Sequence, residues 1–154
     1  MTIFKYLAFS TLFAISVSGT STHAEWRSLT QAEYQALFKE DMPLAVQGDA
    51  KAQAQIGMLY EYGYGVAQDY VEAMKWYRLS AMQGNHDGQF GLGFIYEYGR
   101  GVMQDYVRAH MWFNIALAGE SRDVIAEKMT IEDVSKAQAM ATICVNSGYE
   151  DCGW

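Results

Sequence analysis

From Thr30 onward, apolar residues recur at three- and four-residue spacing, the period of helices that bury one face. Thr30 to Lys39 predicts a first helix. Thr30 and Glu33 form a capping box, Leu29 and Tyr34 stand where a hydrophobic staple belongs, and Ala36, Leu37 and Phe38 make the apolar side. Asp41 then precedes a short second helix over residues 42–48, with Pro43 in its first turn, where a missing N–H is harmless, and Gly48 as its stop. Asp49 to Tyr62 predicts a third helix with Ala52, Ile56, Leu59 and Tyr60 inward. Asp69 caps the next, with Glu72 completing a box, and Ala73, Trp76, Tyr77 and Ser80 line its inner face up to Gly84. Beyond a second such pair come Ser121–Lys128, with Val124 and Ile125 on its apolar side, and a last helix, Ile131–Asn146. The last helix starts at Thr130 and Asp133 and buries Val134, Ala137, Ala141, Cys144 and Val145.

The pattern contains a copy of itself. Gly57–Tyr77 lies over Gly93–Phe113 at an offset of 36 residues, as G-x-x-Y-E-Y-G-x-G-V-x-Q-D-Y-V-x-A-x-x-W-[YF]. Tyr60, Glu61, Tyr62, Gly63, Gly65, Val66, Gln68, Asp69, Tyr70, Val71, Ala73 and Trp76 recur as Tyr96, Glu97, Tyr98, Gly99, Gly101, Val102, Gln104, Asp105, Tyr106, Val107, Ala109 and Trp112. Such a period marks stacked repeats. A glycine inside a helix costs about 1 kcal/mol relative to alanine, so its recurrence at Gly57 and Gly93 predicts a close approach by a neighbouring helix. The second copy closes at Gly119 instead of position 120, which predicts a change of register at the C-terminal edge.

These elements resemble the Sel1-like repeat, a branch of the tetratricopeptide-type solenoids. The resemblance rests on Leu92-Gly93, Tyr96, Gly99, Gly101, Val102, Asp105, Ala109 and Trp112-Phe113 and on the matching Gly57, Tyr60, Gly63, Gly65, Val66, Asp69, Ala73 and Trp76-Tyr77. Ala67 and Met103 stand where the family often has proline. The expected fold is all-α, a short right-handed solenoid of antiparallel helix pairs. Its parts are an N-terminal capping pair over 25–48 (a degenerate repeat), repeats over 49–84 and 85–119, and C-terminal capping helices with a tail over 120–154. The resemblance implies a protein-binding adaptor of the bacterial envelope, of secretion or of host contact. It also carries an enzymatic alternative, since some cysteine-rich members are linked to penicillin binding and β-lactam hydrolysis. This chain lacks their repeat-by-repeat cysteines and any nucleophile motif.

Residues 1–24 read as a signal peptide: Lys5, an apolar run from Tyr6 to Val17, then small and polar residues ending at Thr22-His23-Ala24. Cleavage is expected after Ala24, with Gly19 or an uncleaved anchor as alternatives, and the chain is expected to be periplasmic or secreted. No further membrane span is expected in the mature chain. The net charge of −7 and the absence of a basic run argue against a nucleic-acid partner. His86 and His110 are not spaced as ligands, so no metal, cofactor or catalytic group is expected.

The recurring Gly57, Tyr60, Gly63, Gly65, Asp69, Ala73, Trp76 and Gly93, Tyr96, Gly99, Gly101, Asp105, Ala109, Trp112 are expected to build the repeats. A second face runs through Lys51, Gln55, Met58 and Tyr62, and through Asp87, Gly91, Phe94 and Tyr98. In a solenoid of this type that face lines a concave groove suited to a protein or peptide partner. The expected contact set is Met58, Glu61, Tyr62, Tyr64, Phe94, Glu97, Tyr98 and Arg100, with the two glutamates reading a basic partner; the alternative for Met58 and Phe94 is packing. The chain is expected to be a monomer. Cys144 and Cys152 are the only cysteines, and in an exported chain they are expected to pair, contributing at most about 2–3 kcal/mol, with two free thiols as the alternative. Thiol labelling of the exported chain without reductant is expected to modify neither cysteine; quantitative labelling would remove the disulfide.

Overall fold

The computed structural model describes residues 29–154. The expected signal peptide over residues 1–24 and the first residues of the expected N-terminal cap lie outside the described residues. Seven helices follow one another, with no strand among the described residues: α1 (Gln31–Val46), α2 (Ala50–Tyr62), α3 (Tyr70–Ala81), α4 (His86–Tyr98), α5 (Tyr106–Ile115), α6 (Gly119–Ala126) and α7 (Ile131–Asn146).

The N-terminal cap departs from expectation: one continuous helix, α1, replaces the two predicted helices, and Asp41 and Pro43 lie inside it. Thr30 and Glu33 do form the capping box at its start. An interior proline costs roughly 3 kcal/mol. Burial on both sides of Pro43 offsets it: Tyr34 and Ala45 are buried against α2, with Leu37, Phe38 and Met42 packed around the same cluster. The Phe38 ring also meets Tyr60 edge-on, 5.6 Å between centroids. Tertiary contact carries the helix through a residue that local preference would use to start a new one.

The two repeats are α2–α3 and α4–α5. Each helix packs on the next, and α2 also touches α4 across the repeat boundary, which makes the array a solenoid. Asp49 and Asn85 cap the first helices, accepting from Ala52 and from Asp87 and Gly88. These helices end at Gly63 and Gly99, whose φ of 68° and 63° suit glycine. The following turn is tied down by recurring residues: Gln68 and Gln104 donate to the Glu61 and Glu97 carbonyls at 2.8 and 2.7 Å. The amides of Asp69 and Asp105 donate to the Tyr60 and Tyr96 carbonyls. Asp69 caps α3, but the expected box is absent; its amide is already engaged, and Glu72 pairs with Lys75 instead. Asp105 caps α5 through the Arg108 amide.

The C-terminal edge also departs from expectation. Gly119 opens α6 and does not close α5. The α5 helix ends at Ile115, and the left-handed residue after it is Leu117, with φ 53° and 87% of its surface exposed. The Ala118 amide reaches the Phe113 carbonyl at 2.9 Å and the Leu117 amide reaches that of Asn114 at 3.2 Å, a Schellman stop with leucine in the glycine position. On α6, Ile125 is buried but Val124 is about half exposed. On α7, which packs on α5, Ala137, Ala141 and Cys144 are buried and Val134 half-buried; Val145 faces outward, against expectation.

The tail then folds back. Cys144 and Cys152 are both buried, with 4.4 Å between their Cα atoms and their sulfurs at bonding distance. The Tyr149 ring covers Gly84, and Trp154 lies against Trp112 with ring centroids 5.2 Å apart. Among the described residues no helix is long and apolar enough to cross a membrane. Because a left-handed non-glycine residue costs about 1–2 kcal/mol, Leu117→Gly is expected to stabilise the fold by about 0.5–1 kcal/mol after the entropy of the added glycine is subtracted. A rise in the urea midpoint at constant m-value would report it, and an unchanged or lower midpoint would contradict strain at this residue.

Candidate functional site

The site is built on an aromatic ring that needs missing side chains. Tyr77 lies on the buried face of α3, and its ring presses on Gly57 of α2 and Gly91 of α4. A Cβ at either glycine would stand 2.7 or 2.6 Å from that ring. The close approach expected at Gly57 is therefore real, and what approaches is a ring. Gly93 receives the Phe113 ring of α5 in the same way. Gly65 makes room for α1, since a Cβ there would stand 2.6 Å from the Tyr34 carbonyl carbon. Ala73, Ala109, Tyr96 and Trp112 are buried and structural; Tyr60 and Trp76 are half-buried in the N-terminal cluster. Gly101 packs against Tyr70.

Held there, the Tyr77 hydroxyl donates to the Glu61 carboxylate at 2.6 Å. Burial, then the charge of Glu61, pushes the Tyr77 phenol well above its ordinary range, so it stays a donor. The other Glu61 oxygen accepts from the Arg100 guanidinium, which comes from the turn of the second repeat. Glu61 is 2% exposed. Burial works to lower the pKa of Arg100, and the Glu61 carboxylate together with Tyr62 more than offsets it, so the net shift is upward. The guanidinium also sits beside three rings, 5.0 Å from the centroid of Tyr98 and 5.9 Å from those of Tyr62 and Tyr70.

This arrangement divides the expected contact set. Glu61 and Glu97 both turn inward: Tyr77 and Arg100 close on the Glu61 carboxylate, and the Glu97 side chain, 9% exposed, has the Lys128 ammonium 3.7 Å away. Arg100 is held by Glu61. Met58 is half-buried between the two core clusters, and Phe94 packs edge-on against Phe90 and Phe113. Tyr64 is half-buried, stacked between Tyr34 and Tyr62 at 4.4 and 5.4 Å. Gly91, expected on the open face, is buried under Tyr77. Tyr62 and Tyr98 remain open, 46% and 55% exposed, both beside Arg100. Burial pushes the Tyr62 phenol up, as does Glu61, while Arg100 opposes the shift.

Outside this face the chemistry is sparse. His110 is buried on α5, where burial and then Arg122 lower its pKa, and its Nδ1 has no partner among the described residues. His86 is exposed beside Phe90. No three His, Cys, Asp or Glu side chains converge to hold a metal ion among the described residues. Sequence reasoning missed the Arg78–Trp154–Trp112 stack, in which the Arg78 guanidinium lies 5.4 Å from the Trp154 ring, because the tail carries no repeat signal. It also missed the turn glutamines, although their recurrence was visible.

Comparison with known proteins places the repeats. The family model for the Sel1 repeat matches residues 50–85 and 86–120. A crystal structure of a protective antigen present in uropathogenic Escherichia coli strains, described as displaying an SLR fold, is similar with TM-score 0.73 and 28% identity. It covers 82% of this chain and 29% of that one. A Sel1 repeat protein from Oxalobacter formigenes is similar with TM-score 0.51 and 29% identity, over 74% of this chain and 41% of that one. The chain thus spans less than half the length of either. A comparison with curated proteins finds no match.

Removing one member of a buried ion pair strands the other. Arg100→Met is expected to cost about 3 kcal/mol in chemical denaturation, and adding Glu61→Gln to recover at least about 1 kcal/mol of it. A loss below about 0.5 kcal/mol, as for an exposed pair, would contradict the central place given to this contact.

Proposed function

We propose that this chain, which carries two Sel1 repeats, is a non-catalytic scaffold that binds a partner protein or peptide on the concave face of its first helices. The observation that carries the reading is the pair of open tyrosines, Tyr62 and Tyr98, at equivalent positions of α2 and α4. Rigid aromatic side chains lose little entropy on binding and are favoured anchors at protein interfaces. Here both rings flank a guanidinium that a buried carboxylate holds still. The platform exists before any partner arrives, which lowers the ordering cost of association.

The scaffold acts as an exported monomer in the bacterial envelope or outside the cell, with the Cys144–Cys152 disulfide formed. The apolar leader and the placement of both sulfurs support this reading. A second version, a secreted factor that meets a host, is favoured by similarity to the protective antigen of uropathogenic Escherichia coli. It differs in the partner and not in the binding face.

Pull-down from the envelope fraction of the source cell, or from host extract for the second version, tests the face directly. Tyr62→Ala combined with Tyr98→Ala is expected to lose captured partners while the denaturation midpoint stays close to wild type, since both rings are about half exposed. Undiminished capture by the double variant would refute the proposed face.

A further inference from the structure

The cage around Arg100 has a copy in the second repeat whose cation is poorly matched. Glu61, Tyr62 and Tyr70 correspond, 36 residues on, to Glu97, Tyr98 and Tyr106. The first set receives Arg100 from the following repeat. The second set has no following repeat: the position equivalent to Arg100 is Lys136, exposed within α7. A different residue stands in. The Lys128 ammonium, beyond the end of α6, lies 3.7 Å from a Glu97 oxygen and 5.5 Å from the Tyr106 ring centroid. That is outside hydrogen-bonding distance. The Lys128 side chain is 45% exposed, against 28% for Arg100.

Glu97 has lost its second donor as well. Phe113 occupies the place of Tyr77, so no hydroxyl reaches the carboxylate. Among the described residues nothing donates a hydrogen bond to the Glu97 side chain, which is only 9% exposed, whereas Glu61 receives two such bonds. A buried carboxylate without donors is costly, and a nearby ammonium offsets that cost only by its charge.

We propose that Glu97, Tyr98 and Tyr106 form a docking site for an arginine side chain of a partner protein, with Lys128 as its displaceable occupant. This rests on the scaffold reading and gives the partner one chemical requirement. A planar guanidinium makes two parallel hydrogen bonds to a carboxylate and stacks on tyrosine, neither of which Lys128 achieves from its position. The molecule contains a precedent for the pairing in Arg100, which donates to one Glu61 oxygen while lying beside three tyrosines. The net charge of −7 favours the approach of a basic partner. Tyr98 belongs to both features, since it flanks Arg100 on the open face and corresponds to Tyr62 in the second cage. The arginine site therefore adjoins the proposed face.

The test titrates the capped peptides acetyl-Gly-Arg-Gly-amide and acetyl-Gly-Lys-Gly-amide into the full exported chain, read by amide NMR shifts. The arginine peptide is expected to shift residues 97, 98, 106 and 128 saturably and to bind at least about threefold tighter than the lysine peptide. Lys128→Ala, or Lys128→Gln if the alanine variant is unstable, is expected to bind the arginine peptide more tightly, because a competing cation is gone. Glu97→Gln is expected to weaken binding by about tenfold or more. Weaker or unchanged binding in both lysine variants, or wild-type binding by Glu97→Gln, overturns the site. Self-association of the lysine variants in light scattering also overturns it, since the occupant would then be a second copy. No arginine response in wild type, with partner capture intact in Glu97→Gln, refutes the cage and leaves the scaffold reading standing.

Discussion

The structure depends on one ring pressed between two glycines. Tyr77 reaches Gly57 within its own repeat and Gly91 in the next, so a single side chain joins α2, α3 and α4. Its apolar body fills the space that two missing Cβ atoms leave, and its hydroxyl lands on Glu61. That carboxylate is tolerable in the interior because it has the phenol on one oxygen and a guanidinium on the other. Arg100 in turn lies beside both Tyr62 and Tyr98. Packing within the repeat, register between repeats and the spacing of the open tyrosines are therefore one connected arrangement.

The two ends of the stack solve a shared problem differently. A repeat buries its faces only against neighbours, so the outermost ones need caps. At the N-terminal end α1 supplies a complete partner: Tyr34 and Ala45 bury against α2, Tyr34 stacks on Tyr64, and Gln31 accepts from the Gly65 amide at 2.7 Å. At the C-terminal end α6 and α7 cover α5, and the tail adds Trp154 over Trp112. The fit is looser where the repeat chemistry is interrupted, at Leu117 and at the Glu97–Lys128 pair.

Much of the fold was legible because repetition doubles every signal. The 36-residue offset, the cap residues Asp69 and Asp105, and the terminating Gly63 and Gly99 all predict their elements. Errors fell where a residue has two local meanings. Pro43 reads as a helix start and lies inside a helix, because packing on α2 outweighs its local cost. Gly119 reads as a stop and is a start, because Leu117 has taken the left-handed position. The candidate face was half legible. Tyr62 and Tyr98 are open as expected, while Glu61 and Glu97 turned inward, since helical spacing alone does not say which residue from farther along the chain, Arg100 for one and Lys128 for the other, comes to it.

The sequence by itself determined the helix pairs, their repetition and which glycines and aromatic residues build them, because these follow from local conformational preference and period. It also exposed the substitution of Phe113 for Tyr77 and of Arg100 for Tyr64. Only the tertiary structure decided what those differences mean. Arg100 neutralises a carboxylate of the preceding repeat, and Phe113 brings the equivalent carboxylate no hydroxyl in place of the Tyr77 one. Charge pairing and desolvation depend on distance and burial between segments far apart in the chain, and no periodicity within one segment carries that information.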